Sequence, residues 1–179
     1  MSSAPKYTPH YTVEDYRGWE GDWELWNGIA VSMSPSPFAK HGALQVRIAT
    51  ELEKAIESAN CDATTMTEID WIVSDDTVIR PDLSVVCGDA PEKHIVEAPA
   101  IVVEVLSAST KERDLTVKRQ LYEHQAVGWY LIADPDKSTL ELLKLDETGV
   151  YQPVQAGAAT VIDICENCQL QVDLLRVFR

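Results

Sequence analysis

The chain has 179 residues, of which 45% are hydrophobic and 25% are charged, the composition of an ordinary globular domain. No apolar run approaches the ~20 residues that a membrane span requires, and the N-terminus lacks the apolar core of a secretion signal. We therefore expect a single cytoplasmic domain over residues 1–179, with no membrane partner. The net charge of −14 repels nucleic acid and argues against such a partner.

Four cysteines stand at positions 61, 87, 165 and 168. They are too sparse for a disulfide scaffold, and a cytosolic chain would keep them reduced. Cys165 and Cys168 have CxxC spacing, but a structural zinc site needs two more ligands, and the chain has no second CxxC or HxxxH. Because the motif stands alone, we expect neither zinc binding nor redox chemistry.

The first sixty residues predict a short helix, a hairpin and a long helix. Thr12 is a good N-cap for "YTVEDYRGW", with Asp15 at the capping-box position. The segment "WELWNGIAVSMSP" predicts two short strands that turn at Asn27–Gly28. Residues 37–60 are amphipathic and predict a helix. The apolar stripe of this helix consists of Leu44, Ile48, Leu52 and Ile56.

The rest of the chain alternates between strand and helix patterns. Residues 61–73 and 77–88 predict strands around a turn at Asp75–Asp76, and "PAIVVEVLS" predicts a central strand buried on both faces. A second helix in "STKERDLTVKRQLYEHQAV" is stopped by Gly128 and followed by the buried strand "WYLIADP". A late hairpin and a closing helix in "VDLLRVF" complete an α/β domain, a mixed central sheet flanked by helices.

Two acids interrupt otherwise apolar strands, Asp82 in "RPDLSVV" and Glu104 in "IVVEVLS". A carboxylate buried without a partner is costly. Neighbouring strands would bring the two together, and a divalent cation between them would keep both charged. Oxygen ligands of this kind suit Mg²⁺ or Mn²⁺, so Asp82 and Glu104 are candidate metal ligands.

A metal at that place would activate water and stabilise charge on a phosphodiester, as in metal-dependent nucleases. A nearby lysine would orient the nucleophile or stabilise the charge of the transition state. The helix after Glu104 supplies Lys111 and Lys118. We favour Lys118, because Lys111 lies in the polar connection and is free to point into solvent.

These residues resemble a known family. PD at 81–82, an acid on the next strand and a lysine close behind resemble the PD-(D/E)xK nuclease superfamily. The order of "WELWNG", "RPDLSVV", "VVEVLSASTKERDLTVKRQLYEHQAVGWYLIADP" and "LQVDLLRVF" is similar to the Uma-two family of restriction-type endonucleases, from about Tyr11 to Phe178. The resemblance implies a restriction endonuclease-like fold and a Mg²⁺-dependent endonuclease. It implies nucleic acid as the partner, DNA before RNA, and a homodimer.

The chain departs from the superfamily at one position. The usual lysine, two residues after the acid, is replaced by Leu106. In the family pattern the lysine belongs to a run of residues spaced by four on one helix face. That run is Asp114, Lys118 and Tyr122. The resemblance also implies Glu24 as a third carboxylate, and His41 matches a recurrent histidine at the start of the long helix, where a histidine is more often a simple helix-start residue than a ligand. The implied catalytic residues are Asp82, Glu104, Lys118 and Glu24.

Each assignment has a structural alternative. Asp82 could cap a local turn, and Glu104 could pair with Arg80 in the core. Lys118 could be a solvated helix lysine, and Glu24 an exposed acid at a strand end. The alternative function is a catalytically inactive module with this fold that acts in dimerisation or partner binding, which the charge of −14 favours. Against it, basic residues concentrate beside the candidate site. They are Lys111, Arg113, Lys118 and Arg119.

Overall fold

The structure is a computed structural model that describes residues 9–33, 39–108 and 111–179. The helical segments are α1 (Val13–Tyr16), α2 (Ala39–Ala59), α3 (residues 111–124) and a final 3₁₀ turn (Arg176–Phe178). The strands are β1 (Trp23–Trp26), β2 (Ile29–Ser32), β3 (Ala63–Thr67), β4 (Trp71–Ser74), β5 (Thr77–Ile79), β6 (Leu83–Cys87), β7 (Ile101–Val105), β8 (Trp129–Asp134), β9 (Thr139–Leu145), β10 (Tyr151–Val154), β11 (Thr160–Ile164) and β12 (Cys168–Val172). None of the described helices is long and apolar enough to cross a membrane.

A six-stranded mixed sheet in the order β10-β9-β8-β7-β6-β3 forms the centre of the molecule, which confirms the α/β prediction. Strands β7 and β8 are parallel, and their other neighbours are antiparallel. A parallel pair needs a crossover, and α3 supplies it. The start of α3 therefore lies just beyond the carboxyl end of β7.

The side chains of β7 alternate between two apolar layers, as strand geometry requires. Ile101 and Val103 pack with α2 and the β11–β12 hairpin. Val102, and Leu106 directly after the strand, pack with residues of α3 on the opposite face. Glu104 shares this second face, so its carboxylate enters an apolar layer and needs partners there.

Strands β4 and β5 leave the central sheet and join β1 and β2 in a second sheet of order β2-β1-β5-β4. The sequence predicted one strand on each side of the Asp75–Asp76 turn. The turn is confirmed, but each predicted strand is broken in two. One break contains Glu68, with a positive φ of 52°, and the other contains Pro81, which has no N–H for a ladder. The second break places Asp82 at the entrance to β6.

The local predictions for the N-terminal part are confirmed. Thr12 and Asp15 form a reciprocal capping box at the start of α1. The β1–β2 hairpin turns at Asn27 and Gly28, whose φ angles of 47° and 79° suit a tight turn. The predicted apolar stripe of α2 is buried. It comprises Leu44, Ile48, Leu52 and Ile56.

The predicted late hairpin is confirmed by the antiparallel pair of β9 and β10, but the chain after it differs from the prediction. The β11–β12 hairpin was not predicted, although the strict buried–exposed alternation of both strands is the pattern of a half-buried hairpin. The predicted closing helix is a single 3₁₀ turn, Arg176–Phe178. The left-handed residue after α3 is Ala126, with φ of 56°, two positions before the predicted stop at Gly128.

The expectation of reduced cysteines is wrong in this structure, because all four are paired. Cys61 is bonded to Cys168 and Cys87 to Cys165, across Cα separations of 5.8 Å and 5.7 Å. The cause is tertiary. The β11–β12 turn, which carries the CxxC spacing, packs beside the ends of α2 and β6, where the other two cysteines lie.

Candidate active site

The two acids of the apolar strands face each other across β6 and β7. Leu83 pairs with Val103 in the antiparallel register, so Asp82 lies opposite Glu104, one position further along. Side chains from β1, α2 and α3 complete one pocket around them. Its lining is Glu24, Met33, His41, Arg80, Asp82, Glu104, Arg113, Asp114 and Lys118. All four residues predicted to be catalytic therefore meet in one place, with His41 beside them.

Asp82 is held by groups from two other elements. Its Oδ2 accepts a hydrogen bond from the backbone N–H of Val105 at 2.6 Å and lies 3.2 Å from Nε2 of His41. Gln45 of α2 donates to the Asp82 backbone carbonyl at 2.8 Å. These contacts are tertiary, so the alternative of a local turn cap is wrong.

Glu104 is buried and takes its partners from α3. Its Oε1 accepts a hydrogen bond from Nζ of Lys118 at 3.0 Å and another from the hydroxyl of Tyr122. Arg80, the alternative partner, instead bonds Asp70 at 2.8 Å and Asp22 at 3.0 Å. The pairing of Glu104 with Arg80 is therefore wrong, and the compensating charge comes from Lys118.

Lys118 is 7% exposed and lies among three carboxylates. Its Nζ is 3.0 Å from Glu104, 3.2 Å from Glu24 and 3.9 Å from Asp114. It also donates to the backbone carbonyl of Arg80 at 3.4 Å. The interpretation of Lys118 as a solvated helix lysine is wrong, because its ammonium is the shared counter-ion of this pocket.

The helix that carries Lys118 contains a π-helical turn at Asp114–Lys118, between α-helical Lys111–Arg113 and Arg119–His124. Such turns occur frequently at functional sites. The predicted run of Asp114, Lys118 and Tyr122 is buried along one side of the helix and faces β7, as the spacing of four indicated. Nothing in the sequence indicated the π turn.

Glu24 is 2% exposed on β1. Its Oε1 accepts the backbone N–H of Arg80 at 2.8 Å as well as the Lys118 ammonium. The interpretation as an exposed acid at a strand end is therefore wrong. The contact joins the small sheet to the pocket at the break before β6.

Of the remaining residues named from the sequence, His41 and Arg113 line the pocket and Lys111 lies outside its lining. His41 is buried at the start of α2, and its Nδ1 has no hydrogen-bond partner among the described residues. Lys111, expected to be free, instead bonds Asp134 of β8 at 3.0 Å. Arg113 lines the pocket although the sequence placed it only in a basic cluster. Its position directly before Asp114 was the available signal.

The electrostatics follow from burial and from the excess of acids. Burial raises the pKa of the Glu104 carboxyl well above its usual range, and Asp114 and Asp82 add to this against the opposing effect of Lys118. Burial by itself would lower the pKa of Lys118, but the Glu104, Glu24 and Asp114 carboxylates outweigh it and raise that pKa. Lys118 therefore remains an ammonium and cannot serve as a base near neutral pH.

The chemistry of the donor set fits Mg²⁺ or Mn²⁺, which use one or two protein carboxylates together with water and phosphate oxygens. Asp82 and Glu104 offer such a pair, with Glu24 close to Glu104 through their shared lysine. Within residues 9–33, 39–108 and 111–179 no group of three or more His, Cys, Asp or Glu side chains is already arranged around a metal position. The residues therefore fit a cation that binds two protein carboxylates and takes its remaining ligands from water or phosphate oxygens.

Comparison with known proteins gives the following matches. A family model described as "Uma2: Putative restriction endonuclease" matches residues 13–174. An uncharacterized protein, slr1290 of Synechocystis sp. (strain PCC 6803), is 27% identical over 154 residues, 82% of this chain and 80% of that protein. The crystal structure of "a putative nuclease belonging to DUF820" from Anabaena variabilis superposes with a TM-score of 0.70 over 93% of this chain and 97% of that one. Because this chain and the Anabaena protein are 16% identical in sequence, their similarity shows a shared fold.

Proposed function

The chain belongs to the Uma2 family, and from that premise we propose that it is a metal-dependent nuclease that hydrolyses phosphodiester bonds of nucleic acid, DNA before RNA. The observation that carries the proposal is the convergence of Asp82, Glu104, Glu24 and the buried Lys118 in one pocket. These residues lie up to 94 positions apart, from 24 to 118, and come from separate elements. A structural core has no need of such a concentration of acids.

Asp82 and Glu104 are the residues that would hold Mg²⁺ or Mn²⁺. When bound, the ion would activate water and neutralise charge on the phosphate. The N–H of Val105 and the ring of His41 fix the orientation of the Asp82 carboxylate. Lys118 and Tyr122 do the same for Glu104. The two carboxylates are therefore preorganised on rigid elements, as an electrostatic catalyst requires.

Lys118 contributes a permanent positive charge. Because its pKa is raised, Lys118 stays protonated. Its ammonium donates hydrogen bonds and lowers the repulsion between Glu104 and Glu24. The proton of the attacking water must therefore leave through another acceptor, such as a carboxylate of the pocket or solvent. The role of Lys118 is therefore to stabilise charge.

The test is cleavage of double-stranded DNA, single-stranded DNA and RNA by purified protein with Mn²⁺ or Mg²⁺. Glu104→Gln should abolish cleavage while leaving the fold intact, and the exposed Glu92→Gln should cleave like wild type. Cleavage that survives in Glu104→Gln at the wild-type rate would place the activity elsewhere.

We further propose a homodimer, because cutting both strands needs two sites. The test is the mass in solution by light scattering.

The second candidate is a non-catalytic module that binds a partner through the same fold. Two observations favour it: the net charge of −14, and the ion pairs through which Lys118 already balances the pocket acids. Absence of cleavage on all three substrates, together with absence of metal binding by calorimetry, would select this function over the nuclease.

A further inference from the structure

The cations that line the pocket differ in how they are paired. Lys118 contacts three carboxylates, and Arg80 forms ion pairs with Asp70 and Asp22. Arg113 lines the same pocket and forms no ion pair with any residue in the described part of the chain. Among the described residues, its guanidinium donates one long hydrogen bond, at 3.5 Å, to the backbone carbonyl oxygen of Ser32 on β2. Arg113 therefore has donors available to a ligand.

Arg113 is nevertheless fixed in place. Its guanidinium carbon lies 5.8 Å from the ring centroid of Trp26, a cation–π arrangement. Trp26 stands two residues after Glu24 on β1, and Arg113 directly precedes Asp114 on α3. The two elements that supply these pocket acids thus also hold the guanidinium at the pocket.

Other basic residues near this edge of the sheet are already occupied. Lys111 bonds Asp134 at 3.0 Å, and Lys40, next to His41, bonds Asp136 at 3.2 Å. Each would have to break an ion pair before it could bind an anion. Arg113 would not, which separates it from Lys111 and Lys40.

The pocket needs such a cation because its acids repel a phosphodiester. Four carboxylates line it, and Lys118 and Arg80 are committed to acids. An arginine fork matches the two non-bridging oxygens of a phosphate and remains charged at every working pH. On the basis of the proposed function, we propose that Arg113 is the residue that binds the substrate phosphate, while Lys118 holds the carboxylates in place.

The test separates phosphate binding from cleavage. Binding of a short fluorescent DNA to metal-free protein is followed by anisotropy across a salt series, in wild type, Arg113→Met, Arg113→Lys and Arg119→Met. Arg119 lies on the same helix outside the pocket lining and serves as the matched control. Arg113→Met should weaken binding by about tenfold and reduce the slope of log K against log salt by about one phosphate contact. Arg113→Lys should recover the slope but only part of the affinity, because it keeps the charge and loses the fork.

A role of Arg113 in folding alone would lower the melting temperature and leave the salt slope unchanged, which would overturn the inference. Equal effects of Arg113→Met and Arg119→Met on affinity and slope would also overturn it, as would failure of the wild type to bind DNA at low salt. The result is independent of the proposed hydrolysis. If the wild type binds DNA through Arg113 but cleaves no substrate, the proposed phosphate contact is supported and the proposed nuclease activity is refuted.

Discussion

At the scale of residues, the pocket is a problem of charge balance. One ammonium, that of Lys118, compensates the carboxylates of Glu104, Glu24 and Asp114, and all four side chains are buried. Removing one partner of a buried ion pair leaves a charge that the interior cannot solvate. The same residue is therefore important for stability and for the proposed activity, and the two roles must be measured separately.

We predict that Lys118→Met lowers the free energy of unfolding by about 3–5 kcal/mol, the usual effect of leaving buried charge unpaired. The double variant Lys118→Met with Glu104→Gln should be more stable than the single one, because the neutral amide no longer needs the cation. Urea denaturation of the two single variants and the double variant gives the coupling energy. A Lys118→Met protein within 1 kcal/mol of wild type would contradict the burial argument.

Asp82 is expected to bind the metal, and its substitution should show this in the melting temperature. Mn²⁺ or Mg²⁺ should raise the melting temperature, because a ligand of the native state alone stabilises it by about 2.7 kcal/mol at one hundred times its dissociation constant. Asp82→Asn should abolish this shift, and Asp89→Asn, on the exposed loop after β6, should retain it. An unchanged shift in Asp82→Asn would exclude Asp82 as a ligand.

At the scale of elements, the site depends on breaks and turns. Pro81 lies in the break between β5 and β6, and Asp82 follows it at the entrance to β6, opposite Glu104. The π turn in α3 includes Lys118, whose side chain is buried. Away from the site, the turn between β9 and β10 shows how one side chain can fix a connection. Asp146 accepts hydrogen bonds from Thr148, from the N–H of Val150 and from Gln152.

This turn should be sensitive to acid. The hydrogen bonds from Thr148 and Val150 lower the pKa of Asp146 to about 2, below its ordinary value of 3.8. The Asp146 carboxyl therefore binds a proton more readily in the unfolded chain than in the folded protein. The contribution of Asp146 to stability is complete above pH 3.8 and is lost as the pH falls towards 2.

Asp146→Asn should accordingly melt below wild type at pH 6, and the difference between the two proteins should shrink as the pH falls from 4 to 2. Thermal melting at several pH values measures the difference, and NMR titration of the Asp146 carboxyl gives its pKa directly. A difference in melting temperature that is the same at pH 6 and pH 2 would refute the linkage.

At the scale of the whole molecule, the C-terminal hairpin closes the fold over α2. Ile162 and Leu170 are fully buried in the core cluster shared by α2 and the central sheet. The two disulfides connect this hairpin to residues 107 and 78 positions away in the chain. Long connections of this kind restrict the unfolded chain most strongly.

We expect reduction to destabilise the protein without unfolding it, because the apolar contacts of the hairpin remain. Each disulfide should contribute about 2–5 kcal/mol, so that a reductant lowers the melting temperature by roughly 5–15 °C per bond. A variant with serine at all four cysteine positions should melt at the reduced value and ignore the reductant. A melting temperature of wild type that the reductant leaves unchanged would mean that the cysteines are not paired in solution.

Most of the local structure and the identity of the site acids could be predicted from local sequence patterns. Capping and turn residues act within a few positions, and an apolar period depends only on the local chain, so α1, the β1–β2 hairpin and α2 were predictable. The proximity of Asp82 and Glu104 could be predicted, because a carboxylate buried in an apolar strand is costly without a partner. The two strands that carry them also follow each other in the chain.

The environment of each side chain could not be predicted in this way, because it depends on how distant elements pack together. A lysine is the same letter in a sequence whether its side chain is partly exposed beside one acid, like Lys111, or buried among several acids, like Lys118. The difference arises when β1, β6, β7 and α3 pack together, since burial and ion pairing are properties of that packing. The same reason explains the disulfides: CxxC spacing cannot show that Cys61 and Cys87 lie across from it, because contacts over such sequence distances depend on how the hairpin docks.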